Sequence, residues 1–324
     1  MTTPTLRTTA LRVEYPARAG TAVPVRGVSL SVQAHECLGI VGESGSGKSQ
    51  LFLALMGLLP RDAHVGGSAQ FQGEEILRMA PSDLNRLRGS KLAMIFQDPM
   101  MSLTPHLRIE TQLAEVLVQH QGASWKEAKL AALQALERVR MPDPLRCSRQ
   151  YPHELSGGMR QRVMIGMSLL CNPALVIADE PTSALDVTVQ ARILELLREL
   201  RAETGISIVL VSHDLGVVAT LADRIAVMYA GRIVEMGRTA DVIERPMHPY
   251  TKGLIGSVPS QNTRGHKLAQ IPGMTPSLLK LPAGCSFKSR GPIAIDKCNA
   301  MPELVEHRPG HWARCWRVGE AVPA

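Results

Sequence analysis

Residues 42–49 read Gly-Glu-Ser-Gly-Ser-Gly-Lys-Ser, a match to G-x-x-x-x-G-K-[ST], and no other feature of this chain restricts its fold as tightly. Such a loop works only between a strand and a helix. Both are in place: Cys37-Leu-Gly-Ile-Val41 is a short apolar run leading straight into the glycines, and Gln50 to Leu59 carries a helical pattern. The glycines let backbone N–H groups turn inward on a β-phosphate, and the helix start adds the positive end of its dipole. Lys48 then reaches the β and γ oxygens, and Ser49 offers its hydroxyl to magnesium. Gly42, Glu43, Ser44, Gly45, Ser46, Gly47, Lys48, Ser49 and Gln50 are therefore the candidate nucleotide contacts. The loop alone leaves open which nucleotide chemistry the chain performs.

A loop of this kind needs an acid at the end of a neighbouring strand. Ala174-Leu-Val-Ile-Ala178 is a continuous apolar run of the sort buried in a parallel sheet, and Asp179 and Glu180 follow it directly. Asp179 is placed to hold magnesium and Glu180 to polarise the attacking water. An isolated Asp-Glu pair at a strand end is more often a cap or turn, and it is the phosphate loop that changes this reading. Ile206-Ser-Ile-Val-Leu-Val211 is another buried strand, and His213 just beyond it is placed to contact the γ-phosphate, although a lone histidine there would ordinarily be structural.

Around these motifs the pattern is that of an α/β domain with a mainly parallel sheet. Leu11 to Val32 read as antiparallel strands, and residues 65–96 as further short strands. Residues 107–140 show helical periodicity, with Leu113, Val116 and Leu117 three and four apart. A further helix begins near Gly157 and stops by Asn172-Pro173, and Val187 to Arg201 is amphipathic. After Pro246 the periodicity breaks into a Pro- and Gly-punctuated region, with a boundary expected near 256–265. At 324 residues and 45% hydrophobic, the chain can bury one large core plus an appendage. Its longest apolar stretches, such as Leu51 to Leu59 and Met164 to Cys171, fall well short of the roughly 18 to 20 residues of a membrane span. Met1 to Ala10 lacks a charged start followed by an apolar core, so a cytoplasmic location is expected.

Between loop and acids lies Leu155-Ser156-Gly157-Gly158-Met159-Arg160-Gln161-Arg162, which resembles the signature motif of ABC (ATP-binding cassette) ATPases. Ser156, Gly157 and Gly158 open a helix and so form a second anion-binding terminus. The resemblance covers roughly residues 5–250 and implies a P-loop NTPase of the ABC nucleotide-binding type, with a mainly parallel core, an antiparallel β subdomain and a helical subdomain. On it, residues 1–258 form the ATP-binding domain, the helical subdomain spans about 98–165, and 259–324 are a small cysteine-containing extension. It further implies that two ATPase domains pair head to tail, the signature of each closing over nucleotide held by the other. Gln97 looks like the glutamine that senses magnesium and the attacking water. Ser183-Ala184-Leu185-Asp186 looks like the loop that crosses the dimer interface, Asp186 helping to align the opposite site. Tyr15 stands where the family has an aromatic stacking on adenine, and packing on the core is the competing reading. Gln50 departs from the small or apolar residue more usual after Ser49.

Four further stretches are similar to the ATPases of dipeptide, oligopeptide and nickel importers: Gln97 to Pro105, Tyr151-Pro-His-Glu154, Met228-Tyr-Ala-Gly231 and His248-Pro-Tyr-Thr251. Thr104 replaces the usual Asn there. This branch implies ATP and magnesium as ligands and a related second ATPase as the pairing partner. It also implies two transmembrane permease subunits and an extracytoplasmic solute-binding protein, with the chain peripheral on the cytoplasmic face of the membrane. Nucleic acid is not an expected partner. A soluble ABC ATPase of repair or translation is the alternative, opposed by the single cassette and the lack of sustained heptads; an importer of nickel or another non-peptide solute is a second. Relatives with this tail often bind an iron–sulfur cluster through four cysteines. Here Cys285, Cys298 and Cys315 are present, but Gly291 stands where the second would be, so a cluster with a substitute ligand such as His307 or His311, a different metal, and plain thiols all stay open. The tail from residue 261 holds nine Lys/Arg against four Asp/Glu, and no basic run exceeds two, which favours a solvated surface.

Overall fold

The computed structural model describes residues 3–18, 20–183, 185–257, 271–279 and 281–318. Strands β1 (Leu6–Ala17) and β2 (Gly20–Val32) form an antiparallel pair, and β3 (Cys37–Val41) runs into helix α1 (Lys48–Leu55). Next come β4 (His64–Phe71), β5 (Glu74–Glu75), α2 (Pro81–Leu87), β6 (Leu92–Ile95) and the short α3 (Pro99–Ser102). Helices α4 (Ile109–Gln121), α5 (Trp125–Arg138), α6 (Pro144–Arg149) and α7 (Gly157–Leu169) follow, then β7 (Leu175–Asp179), α8 (Val187–Thr204) and β8 (Ser207–Ser212). The chain continues through α9 (Leu215–Ala219), β9 (Arg224–Tyr229), β10 (Arg232–Arg238), α10 (Thr239–Glu244), α11 (Pro249–Gly256), β11 (Val305–Arg308) and β12 (His311–Ala313).

Two sheets result. The smaller has the order β2-β1-β4-β5 and is antiparallel. The larger has the order β11-β12-β10-β9-β3-β8-β7-β6, parallel from β9 to β6 and antiparallel from β9 outward to β11. Alternation along the parallel strands divides the core into two layers. Val41, Ile95, Val176, Ala178, Ile208, Leu210 and Val227 face α4, α5, α7 and α8, whereas Leu38, Ile40, Met94, Ile177, Val209, Val211 and Met228 face α1 and the antiparallel sheet. Both faces of β3, β7 and β8 are covered, which is why these strands read as unbroken apolar runs. The carboxyl ends of β3, β7 and β8 therefore deliver Gly42, Asp179 and Ser212 to one rim of the sheet, where ligands bind in open α/β folds.

One expectation needs correcting and a second is sharpened. The segment 65–96 is not all strand: α2 intervenes, started by Pro81 with Asp83 in its first turn. Its polar surface hid it, Leu84 being its only buried residue. The helical stretch 107–140 is two helices, because Gly122 adopts the left-handed conformation (φ 66°) that ends α4 and Ser124 forms a capping box with Glu127 that starts α5. The boundary expected near 256–265 lies largely outside the described residues, which stop at 257 and resume at 271. On its far side the extension continues the main sheet, with Glu235 of β10 opposite Ala313 and Met236 opposite Trp312 of β12.

Candidate functional site

The phosphate loop closes on itself before any ligand is considered. Lys48 Nζ donates to the carbonyls of Gly42 (2.7 Å) and Glu43 (3.1 Å), and the Gly231 N–H donates to the Ser46 carbonyl (2.9 Å). Gly47 precedes α1 with φ 97°, and a Cβ there would lie 2.0 Å from the Pro24 carbonyl oxygen, so only glycine fits. Burial holds the Lys48 ammonium below its ordinary range against the opposing charges of Glu180, Asp179 and Glu43.

Asp179 ends β7 buried at the sheet rim. Burial raises its carboxyl above the usual range, helped by Glu180 and opposed by a hydrogen bond from Ser49 and by Lys48. Its Oδ1 is buried without a partner, as is Ser46 Oγ. Orphaned polar atoms of this kind beside a glycine cradle suit a phosphate and its divalent cation. Glu180 follows with φ 47°, its N–H donating to the Val211 carbonyl (2.9 Å). That kink turns its carboxylate into the cleft, where Oε2 accepts from Gln97 Nε2 (3.1 Å) and Oε1 lies 3.2 Å from His213 Nδ1. Glu43, Ser44, Gly45, Gly47, Lys48, Ser49, Gln50, Gln97, Glu180 and His213 line one cleft of about 600 Å³. Tyr15 lies beside it, its hydroxyl donating to Gln50 Oε1; the sequence departure at Gln50 thus has a structural partner. Burial, with the charge of Asp62, holds that phenol above its ordinary range.

Ser156, Gly157, Gly158 and Asp186 line a separate cleft of about 540 Å³. Ser156 caps α7 by accepting from the Met159 N–H (3.4 Å), and Asp186 caps α8 by accepting from Thr188 and Val189 (3.0 Å each). Gly158 faces α8 so closely that a Cβ would lie 2.8 Å from Val189 Cγ1. Within one chain the two glycine-bearing clefts share no lining residue.

In the extension, the Cys285 N–H donates to the Cys298 carbonyl (2.9 Å), which brings two of the three thiols to adjoining backbone. Burial pushes the Cys285 and Cys315 thiols up, with the neighbouring cysteines adding to the rise. The Gly291 N–H donates to the Phe287 carbonyl (2.8 Å), and a Cβ at Gly291 would lie 3.2 Å from that oxygen. His311 is buried against Glu235, and His307 is exposed on β11. Among the described residues no three His, Cys, Asp or Glu side chains converge as a metal site, so the donors present do not fit a four-thiolate cluster.

Sequence reasoning missed the partners of Glu43. Its N–H donates to Tyr250 Oη (2.8 Å), while its carboxylate accepts from the Thr275 hydroxyl and from both Nη atoms of Arg290 (2.7 and 3.0 Å). Burial alone would raise this carboxyl, but hydrogen bonds from Arg290 and Thr275 and the charges of Arg290 and Lys48 hold it below its ordinary value. No local signal announces an ion pair across 247 residues of sequence.

Comparison with known proteins bears on the family and the fold. The ABC transporter family matches residues 25–183, and the C-terminal region of oligopeptide/dipeptide transporters matches residues 234–298. The oligopeptide transport ATP-binding protein OppD of Salmonella typhimurium is 49% identical over 312 residues, covering 96% of this chain and 93% of that protein. The dipeptide transport ATP-binding protein DppD of Bacillus subtilis is 45% identical over 309 residues, covering 94% and 92%. Among solved structures, a dimeric post-hydrolysis state of the ATP-binding cassette MJ0796 bound to ADP and Pi superposes with a TM-score of 0.65 at 27% identity, covering 72% of this chain and 98% of that one.

Proposed function

The chain belongs to the ABC transporter family, and from that premise we propose that it is the ATP-hydrolysing subunit energising import of a small peptide. The observation that carries the reading is the convergence of Lys48, Glu180, Gln97 and His213 on a single cleft beside Asp179. In this proposal the loop amides and Lys48 bind the β- and γ-phosphates, Tyr15 flanks the adenine, and Glu180 takes the proton of the attacking water. Gln97 and His213 fix the rotamer of Glu180 from either oxygen, and His213 also faces the γ-phosphate. Ser49, Asp179 and Gln97 would hold magnesium, which would supply positive charge against the phosphates.

The second cleft supports pairing with another ATPase. Ser156, Gly157, Gly158 and Asp186 have no phosphate of their own chain to face, so a partner's nucleotide is their natural ligand. A related second ATPase, two permease subunits and a solute-binding protein complete the proposed assembly, with this chain peripheral on the cytoplasmic face. No helix among the described residues is long and apolar enough to cross a membrane. Met101, 86% exposed on α3 and four residues after Gln97, offers an apolar contact to such a permease where the cleft adjoins the helical layer. We further divide the chain into an ATP-binding domain, 1–258, with its helical subdomain at about 98–165, and an extension, 259–324. Purification of tagged chain from its native membranes in mild detergent tests the assembly. Two polytopic membrane proteins, a second ATPase and a peptide-loaded binding protein are expected in the eluate; recovery only from the soluble fraction, with ribosomes or nucleic acid, refutes the transport reading.

A further inference from the structure

We propose that Arg290 is a positioning residue for the phosphate loop, through which the carboxy-terminal extension holds Glu43 away from the nucleotide. Arg290 is 7% exposed, and every N–H of its guanidinium has an acceptor. Nη1 and Nη2 grip the two oxygens of Glu43 at 2.7 and 3.0 Å. Nε donates to the Pro272 carbonyl (2.8 Å), Nη2 also to the Ile271 carbonyl (3.4 Å), and Nη1 also to Tyr229 Oη (3.4 Å). Two segments of the extension thus converge on one residue of the loop, since Thr275 donates to the same Glu43 carboxylate.

The support beneath this fork is rigid. The Arg290 N–H donates to the Phe287 carbonyl (3.0 Å), and the Phe287 ring packs edge-on against Tyr229 at 5.2 Å and against Tyr250 at 5.6 Å. Tyr250 itself accepts from the Glu43 N–H, so backbone and side chain of Glu43 are fixed from the same cluster.

Glu43 lines the nucleotide cleft, and its carbonyl accepts from Lys48 Nζ. A carboxylate in a phosphate loop has the sign of the triphosphate. Left unpaired it repels the ligand and competes for the Lys48 ammonium; held in a bidentate pair it is neutralised and turned toward the extension. The extension therefore sets the electrostatics of a site to which its sequence makes no direct contribution.

The inference rests on residues 42–49 binding nucleotide phosphate, and the test separates the two. Binding of Mg-ADP to the full chain is measured by calorimetry for wild type, R290Q, R290K, E43Q and the E43Q/R290Q double variant. R290Q is expected to raise Kd about tenfold, equivalent to ~1.4 kcal/mol. R290K, which keeps the charge and loses the fork, should fall between. E43Q removes the charge that Arg290 neutralises, so the double variant should bind within about twofold of E43Q alone. R290Q binding like wild type would overturn the proposal, as would a double variant whose loss is the product of the single losses, because Arg290 would then act without Glu43. Should R290Q not fold, R290K alone and combined with E43Q carries the same comparison. A wild-type chain that binds no Mg-ADP would overturn the phosphate-loop reading itself.

Discussion

Replacing Glu235 by glutamine probes how firmly the extension is joined to the core. Glu235 is fully buried in β10. Its Oε1 accepts from the Met247 N–H and from His311 Nε2, and its Oε2 accepts from the His248 N–H, each at 2.8 Å. One carboxylate thus ties the start of α11 and strand β12 to β10. Glutamine has the same shape, so no cavity forms, but one acceptor becomes a donor. If the amide oxygen takes the Oε1 position, the His248 N–H faces an NH₂; if it takes the other, Met247 and His311 do. Each buried donor left without an acceptor costs about 1–3 kcal/mol, and the new NH₂ is itself one of them, so the loss is about 3 kcal/mol. Equilibrium urea unfolding followed by tryptophan fluorescence reads it directly, because Trp312 and Trp316, two of the three tryptophans, lie in the extension. An unfolding free energy within about 0.5 kcal/mol of wild type would refute the reasoning, since that is the scatter of an inconsequential surface change.

Two other outcomes follow from the site and its surroundings. Glu180→Gln should retain ATP binding and lower turnover by about 10² or more, the usual contribution of a general base; hydrolysis near the wild-type rate sinks its assignment. His248 is buried, and burial pushes its imidazole down to about 4, with Glu235 opposing and Arg314 adding to the fall. The unfolded histidine titrates near 6.5, so the unfolded chain binds the extra proton between these values, and this contribution to stability is present above pH 6.5 and lost as pH falls toward 4. At pH 4 the loss is roughly 3 kcal/mol. In His248→Gln the pH dependence of the urea midpoint across that window should flatten; an unchanged slope counts against a neutral buried His248.

The site was legible where chemistry is written in consecutive residues. Gly42 to Ser49 and Asp179-Glu180 each follow a buried apolar strand, and the parallel register of β3 with β8, and of β8 with β7, brings their ends to one rim. The order of motifs therefore fixed much of the cleft. It did not foretell which groups would touch: His213 packs on Glu180, and the Tyr15 hydroxyl is taken by Gln50. Short or polar elements escaped for a different reason. Helix α2 buries a single side chain, so its apolar periodicity has nothing to register, and the break between α4 and α5 depends on one left-handed glycine inside an otherwise continuous pattern. The pairing of Glu43 with Arg290 depends on how the extension folds back, information spread over the whole chain.

The extension also decides how the large sheet ends. Without β12 and β11, the outer face of β10 would be a row of unpaired N–H and C=O groups on a strand with buried Ile233, Val234 and Glu235, open to pairing with another chain. The hairpin pairs that row at Glu235 and Met236 and moves the border there out to Val305-Glu-His-Arg308, a short strand exposed along its whole length and carrying charge of both signs. Such a border is a poor template for further strands. The extension that grips the phosphate loop through Thr275 and Arg290 thus also gives the sheet, through its hairpin, a border ill suited to edge-to-edge self-association.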